Sequence, residues 1–533
     1  MKQLFAVLFL LFPVIIFAQQ DAWVYFNDKP QSGFYLDNPG QMLSQRSLDR
    51  RAAQGIAIDF QDVPIHQPYV DAAEAAEGIS VMAKSKWLNA IHVRGSVEAI
   101  NSLTSLAFVQ SIDFADDSLD AQQRSAQQPP SPTALPAADF PYGASANQIQ
   151  MLNGHLLHQQ NYTGAGKIIA VMDAGFPGVD VAQPFQRLRD DGHILGGYNF
   201  VDRNTEIYTR GSHGTMVLST MGGFVPEQLV GTAPDASYYL FITEDVSSEN
   251  PVEESYWVEA AEMADSLGVD VINTSLGYFT YDNPAYSYSY EDMDGVTAFA
   301  SRGANVAFSR GMMVVVSAGN SGNSSNPHIS VPSDATYALA IGAVTPEGEY
   351  ASFSSIGPSA DGRVKPDVSA QGVAAVVSNT AGEIVTASGT SFAGPIMAGM
   401  VASFWQAVPE FTNAEIVQFV RESAHLFETP DVFMGYGIPN FALALENALA
   451  ISENTSSEII IHPNPVHDIL SVKLPPSVNS AEITIYDAAG KNVLNSNVTG
   501  SQSSIDTEQL ASGIYLYRIT SKQKTVTGKL LKI

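Results

Sequence analysis

Four polar residues spread along this 533-residue chain form a chemical set. Asp173 closes the apolar run KIIAVMD, His213 sits early in GSHGTMVLSTMGG, Asn320 closes MMVVVSAGN, and Ser391 stands in SGTSFAGPIMAG just ahead of an apolar, helix-like run. Taken singly, each has a plain alternative. Asp173 reads as a turn former beside Gly175, His213 as a helix-start residue, Asn320 as part of an Asn-Ser-Gly turn, and Ser391 as a helix N-cap. Taken together they supply the parts of an acyl transfer. A serine hydroxyl is a weak nucleophile at its own pKa and needs an imidazole to take its proton, and that imidazole needs a carboxylate to hold its tautomer. An oxyanion forming beside Ser391 would meet the free N–H groups of a helix N-terminus and the Asn320 amide; losing one such donor costs about 3 kcal/mol of transition-state stabilisation. His193, in DGHIL, is the rival base, but it lacks the helix-start context and reads as a loop residue.

Such a set works only if the fold brings the four together. KIIAVMD, VDVINTSLG and MMVVVSAGN read as buried parallel strands, and WVEAAEMADSLG and GVTAFASRGANVAFSRG between them as helices. Alternating strands and helices predict an α/β domain over 142–450, a parallel sheet with helices on both faces and its active site at the strands' carboxyl ends. Residues 1–18 carry one Lys, a short apolar run and a small residue, the pattern of an export signal. Residues 19–115 read as a small α+β unit built on GISVMAK, LNAIHVRG, SVEAINSL and FVQSIDFAD. Residues 116–141, rich in Gln, Pro, Ser and Ala, read as a flexible linker. Residues 456–533 alternate in short strand runs and predict a small β-sandwich.

Composition narrows the partners. With no cysteine, neither disulfides nor thiol chemistry is available, and Asp plus Glu outnumber Lys plus Arg by 55 to 26, which argues against nucleic acid. The last 77 residues are nearly neutral, so the acidity belongs to the rest of the chain. No segment after the export signal is apolar for long enough to span a bilayer, so no transmembrane segment is expected in the mature chain.

IAVMDAG, SHGTMV, SAGNSG and SGTSFAGPIMAG, in this order, resemble the catalytic blocks of the subtilisin-like serine peptidases across about residues 142–450. The resemblance implies a secreted endopeptidase with Ser391 as nucleophile, His213 as base and acid, Asp173 orienting the imidazole, and Asn320 in the oxyanion hole. It further implies that Ser275, Leu276 and Gly277 pair with an extended peptide substrate while Ser317, Ala318 and Gly319 wall the opposite side of the primary pocket. Pro395 fits the family pattern; Leu218 and Ser219, where the family carries small residues, depart from it, as does Tyr278 in place of a glycine. The insertion after Tyr278 carries Tyr281, Tyr286, Tyr288 and Tyr290, and these are expected to line the cleft and favour large apolar side chains, or else to stack among themselves on the surface.

Thirteen acidic residues and no basic one lie between 243 and 301. A structural calcium is conceivable there, but no D-x-D-x-D spacing supports it, a solvated acidic face is the alternative, and the chemistry requires no cofactor or catalytic metal. The N-terminal unit resembles the family's propeptide in length and position, against a permanent accessory domain. The tail (PNP at 463–465, IYDAAGK, LASGIYLYRI, KLLKI) resembles the C-terminal sorting domain of the Bacteroidetes type IX secretion system, which implies export across the outer membrane and the secretion machinery as a partner besides protein substrates. A generic adhesive or carbohydrate-binding module is the other reading of the tail. Two further functions share these residues: a binding or adhesion protein on an inactive peptidase scaffold, and a ligase or cyclase that passes the same acyl-enzyme to an amine.

Overall fold

The structure is a computed structural model that describes residues 19–116, 118, 140–456, 460–474, 478, 480–499, 502–521 and 525–533. The export signal and nearly all of the linker lie outside the described residues. Two compact units are resolved, residues 1–445 and 446–533.

The first unit opens with a four-stranded antiparallel sheet: β1 (Gln20–Phe26), β2 (Ile79–Ser85), β3 (Ala90–Gly95) and β4 (Val109–Phe114), in the order β2-β3-β1-β4. Strand β1 is an addition to the reading from sequence. It lies centrally, and its alternate residues Ala22, Val24 and Phe26 pack into the small core. Helix α1 (Gln45–Ala53) starts at Ser44, whose hydroxyl accepts from Ser47 N.

The centre of the unit is a seven-stranded parallel sheet. In chain order the strands are β5 (Ile168–Asp173), β6 (Ile194–Asn199), β7 (Ser237–Ile242), β8 (Val271–Thr274), β9 (Met313–Ser317), β10 (Leu339–Val344) and β11 (Val368–Gln371). Across the sheet they run β11-β10-β9-β8-β5-β7-β6. From β5 the chain goes first to the edge strand β6, comes back to β7 beside β5, and then crosses to the other side of β5 with β8. The sheet therefore has its switch point at β5, where open α/β sheets leave a crevice at the carboxyl ends.

Strands β5, β8 and β9 are buried on both faces, which is why they read as unbroken apolar runs. Ala170, Met172, Phe241, Ile272, Val314 and Val316 meet Trp257 of α4 (Val252–Leu267) and Ala304 of α5 (Phe299–Ser309). The alternate residues are covered from the other side, where α3 (His213–Gly222) and α6 (Thr390–Ala407) pack on the sheet and on each other.

The N-terminal sheet sits on α4 and α5. Trp23 stacks on Phe299 with centroids 5.0 Å apart, and its indole N–H donates to Ser255 at 2.9 Å. The Glu262 carboxylate accepts Ser85 Oγ, Lys86 N and Trp87 N at 2.7–3.0 Å, and burial pushes its pKa up to about 6. A second contact lies one turn further along α4, at its C-terminal end. Asp265 receives Arg50 at 2.5 Å and Arg51 at 2.7 Å, Arg51 also holds Asp62, and all four side chains are at most 5 % exposed. Removing the shared carboxylate would leave two buried guanidinium groups under-paired. In a Ser391→Ala background, Asp265→Ala is expected to lower stability by about 3–5 kcal/mol in urea denaturation; a change below about 1 kcal/mol would show that the cluster does not hold the domain.

The second unit begins with the last turns of a helix (Phe441–Ser456) and is otherwise built of strands. One sheet joins β12 (Ile460–His462), β13 (Ile469–Lys473) and β16 (Gln502–Asp506), and the other orders β15 (Asn492–Thr499), β14 (Ser480–Tyr486), β17 (Gly513–Ser521) and β18 (Thr525–Lys532). Leu470, Val472, Ile483, Ile485, Val498 and Ile519 fill the space between them.

Candidate active site

Asp173 is the last residue of β5 and is fully buried. Its Oδ1 accepts from Ala174 N at 2.7 Å, and both carboxylate oxygens face His213 Nδ1, at 2.8 and 3.1 Å. His213 begins α3, and Gly214 explains how that helix comes so close. A Cβ on Gly214 would stand 2.6 Å from Gly175 O and 2.9 Å from Asp173 Cβ. The negative charge of Asp173 raises the imidazole pKa against the opposing effect of burial. Leu218 and Ser219 are fully buried in α3, and the Ser219 hydroxyl donates to Met216 O at 2.6 Å and accepts from Ser378 N at 2.8 Å. The departure at 218–219 thus ties the helix to a neighbouring hairpin and leaves the imidazole face alone.

Ser391 is the second residue of α6. Pro395 lies in this helix and has no N–H for the Ser391 carbonyl, which instead accepts the Ser275 hydroxyl at 2.9 Å. The Ser391 hydroxyl points at Ser275 O, 3.4 Å away. A bond from it to His213 Nε2 is not among the hydrogen bonds of the described residues, although the His213 ring lies 6.0 Å from that of the next residue, Phe392. Such bonds are often long before substrate binds. Asn320 Oδ1 accepts Thr390 N at 2.9 Å and Thr390 Oγ1 at 3.1 Å, which fixes the amide's orientation. Its Nδ2 and Ser391 N both lie close to Gly389, where a Cβ would stand 3.7 Å from each.

The segments after β8 and β9 flank Ser391. Ser275 exchanges the two bonds above; Ser317 Oγ donates to Thr390 O at 2.8 Å, and Gly319 N to Thr390 Oγ1 at 3.3 Å. Leu276 and Gly277 continue the first segment and Ala318 the second. All ten residues singled out from sequence therefore lie at or just beyond the carboxyl ends of three adjacent strands or at the starts of α3 and α6. His193 lies at the opposite edge, where it precedes β6 and its Nδ1 faces Ala236 O at 3.1 Å.

The tyrosine insertion differs from expectation. Tyr281 and Tyr288 both donate to Glu254 of α4, at 2.7 and 2.6 Å, Tyr286 OH accepts Asp21 N of the N-terminal sheet at 3.1 Å, and Tyr290 stacks on His328. A buried glutamate and the docked domain claim the first three, so they do not line the cleft. Tyr278 is buried, and its backbone pairs with Val331.

Of the thirteen acidic residues, Glu244, Glu249 and Glu253 bring carboxylate oxygens within 4.8 Å of one another. Burial raises all three pKa values, that of Glu253 to about 8; neighbouring carboxylates of the cluster add to this at Glu244 and Glu253, and the charge of Asp282 adds to it at Glu249. Sequence order alone did not reveal this cluster, because it joins a loop to the first turn of α4.

Residues 164–438 match the Subtilase family, residues 21–131 the Bacteroidota propeptide domain of peptidase S8, and residues 460–533 the secretion system C-terminal sorting domain. Subtilisin NAT of Bacillus subtilis subsp. natto is 31% identical over 313 residues, which cover 58% of this chain and 72% of that protein. Subtilisin of Bacillus pumilus is 31% identical over 313 residues, 58% of this chain and 100% of that protein; an alkaline protease of Alkalihalobacillus alcalophilus is 25% identical over 399 residues, covering 74% and 92%. The chain belongs to the subtilase family. It is a secreted serine endopeptidase made with a propeptide, and its tail marks it for type IX secretion. No helix among the described residues is long and apolar enough to cross a membrane.

Two outcomes follow from the charges. The neutral imidazole is the form that accepts a proton, so kcat/KM is expected to fall as pH drops through a His213 pKa above the ordinary 6.5; Asp173→Asn should move that acid limb to lower pH while cutting kcat about 10⁴-fold. An unmoved limb would separate His213 from Asp173. Glu253 holds its proton more tightly folded than unfolded, so it favours the folded state less and less as pH rises from 4.5 to about 8. Melting temperatures at pH 5 and pH 8.5 should therefore lie closer together in Glu253→Gln than in the wild type.

Proposed function

We propose that peptide bonds are cut through an acyl-enzyme on Ser391. The observation that carries this reading is the paired carboxylate and imidazole of Asp173 and His213, 2.8 Å apart, together with the N–H donors of Ser391 and Asn320, both close to Gly389. Ser391 Oγ attacks the carbonyl carbon while its proton passes to His213 Nε2. The oxyanion lies between Ser391 N and Asn320 Nδ2, and Asp173 holds the imidazolium. The proton then goes to the leaving amine; a water activated by His213 attacks the ester, releases the acid and restores the hydroxyl. Every step uses protein groups and water.

An extended substrate adds its backbone to residues 275–277, with its primary side chain between them and residues 317–319. The N-terminal domain, docked on α4 and α5, restrains the enzyme until the 116–141 segment is cut, and residues 1–18 direct export before the tail acts. Casein digestion by protein purified as the full chain and then cut within 116–141 tests the assignment. Ser391→Ala is expected to abolish it, and Asn320→Leu to lower kcat about 10²–10³-fold with KM little changed. Equal activity in Ser391→Ala and wild type would remove the assignment.

A further inference from the structure

The start of α6 is tied to the segments leaving β8 and β9, whereas His213 is tied through Asp173 to β5. The reach from the Ser391 hydroxyl to the imidazole therefore depends on what joins these two sets of ties. A hairpin of Ala375–Ser378 and Ile384–Ala387 does so, since its second strand runs directly into the loop that carries Ser391. Its base is closed on that loop: Ala374 N donates to Ser388 Oγ at 3.0 Å, and Gly389 N to Gly372 O at 2.8 Å. Its tip lies on the segment that leaves β5, where a Cβ on Gly178 would stand 2.2 Å from Thr380 O. In a two-stranded antiparallel pair, alternate N–H groups point away from the partner strand and need bonds elsewhere when buried. Val376 N donates to Gln148 Oε1 at 2.9 Å, and Ser378 N to Ser219 Oγ at 2.8 Å. Ser219 belongs to α3, the helix that His213 opens, and both Ser219 and Ser378 are fully buried. The Ser219 proton goes to Met216 O of the same helix, at 2.6 Å, so the hydroxyl presents a lone pair to the hairpin. Neither alanine nor glycine could make this bond.

Resting on the assignment of Ser391 as nucleophile, we propose that Ser219 is a positioning residue for the acyl transfer. By holding the Ser378 amide it fixes the nucleophile's hairpin against the helix of the general base and sets the reach from Ser391 Oγ to His213 Nε2. The path uses only covalent chain and one buried bond: His213 opens α3, Ser219 lies further along it, Ser378 N binds the Ser219 hydroxyl, and the hairpin returns through Ile384–Ala387 to Ser391. Deleting the hydroxyl leaves a buried N–H unpaired, and the strand regains a partner only by shifting. Such a shift moves Ser391 relative to the imidazole. It leaves the Asp173–His213 pair intact, so the proton affinity of the imidazole is unchanged, and it leaves residues 275–277 and 317–319 in place, so substrate still binds. A misplacement of about 1 Å between reacting groups costs roughly 10²-fold in rate. The effect of Ser219 therefore falls on kcat.

The test uses wild type, Ser219→Ala, Ser219→Thr and Ser391→Ala, each purified as the full chain and then cut within 116–141. The substrate is whichever of the Ala-Ala-Pro-Ala, Ala-Ala-Pro-Leu and Ala-Ala-Pro-Phe p-nitroanilides wild type cleaves fastest, assayed below the onset of melting of every variant. Ser219→Ala is expected to lower kcat about 10–10²-fold, with KM little changed and the acid limb of kcat/KM at its wild-type pH. Ser219→Thr, which keeps the hydroxyl, should recover most of the loss. A serine with a purely structural role would lower the melting temperature of Ser219→Ala and leave kcat per folded molecule alone, and that result overturns the proposal. So does a loss carried by KM, a displaced acid limb, or an equal kcat loss in a folded Ser219→Thr. If one of these variants does not fold, Ser219→Gly takes its place and must show the kcat loss expected of Ser219→Ala; a wild-type kcat in Ser219→Gly overturns the proposal. A wild type no more active than Ser391→Ala overturns the site assignment and this proposal together.

Discussion

A carboxylate fully buried at the end of a buried strand is costly unless a partner reaches it. At the end of β5 that partner is the His213 imidazole, helped by Ala174 N, and most of the surrounding architecture exists to let it arrive. Gly214 removes the side chain that would hold α3 away from Asp173, and Gly175 accommodates the exit from β5. Helix α6 then delivers Ser391 beside the outgoing segments of β8, the neighbour of β5 in the sheet, and of β9. One electrostatic requirement thus positions two helices.

Anchoring at α6 follows the same economy of parts. Pro395 frees one helical carbonyl, Ser275 occupies it, and Ser317 and Asn320 bind Thr390 one residue earlier. The start of the helix is joined to β8 and β9 by side chains from both outgoing segments. The N-terminal domain is held on the other face, where arginines of α1 and backbone N–H groups of β2 and its turn meet acids of α4. Part of the acidity that the sequence shows over 243–301 is therefore matched by cations of the propeptide.

The parallel strands were legible because burial on both faces leaves an unbroken apolar run, and the four polar residues because each interrupts such a run or opens a helix. Other features depend on distances that sequence order does not carry. The Arg50–Asp265 pair joins residues 215 apart, and Tyr278 pairs its backbone with Val331, 53 residues on. Strand β1 was overlooked because its run follows directly on the export-signal pattern. The tyrosines misled because their abundance in an insertion says nothing about direction; a buried Glu254 and the Asp21 amide decide where three of them point.

The central claim is that the Asp173–His213 pair activates the Ser391 hydroxyl and no other. Phenylmethanesulfonyl fluoride, followed by peptide mapping in a mass spectrometer, reads this directly, because sulfonylation reports nucleophilicity without a substrate. The account predicts one adduct, on Ser391, formed rapidly by wild type and lost in His213→Ala. Labelling of a different serine, or labelling of Ser391 at the same rate without His213, would contradict it.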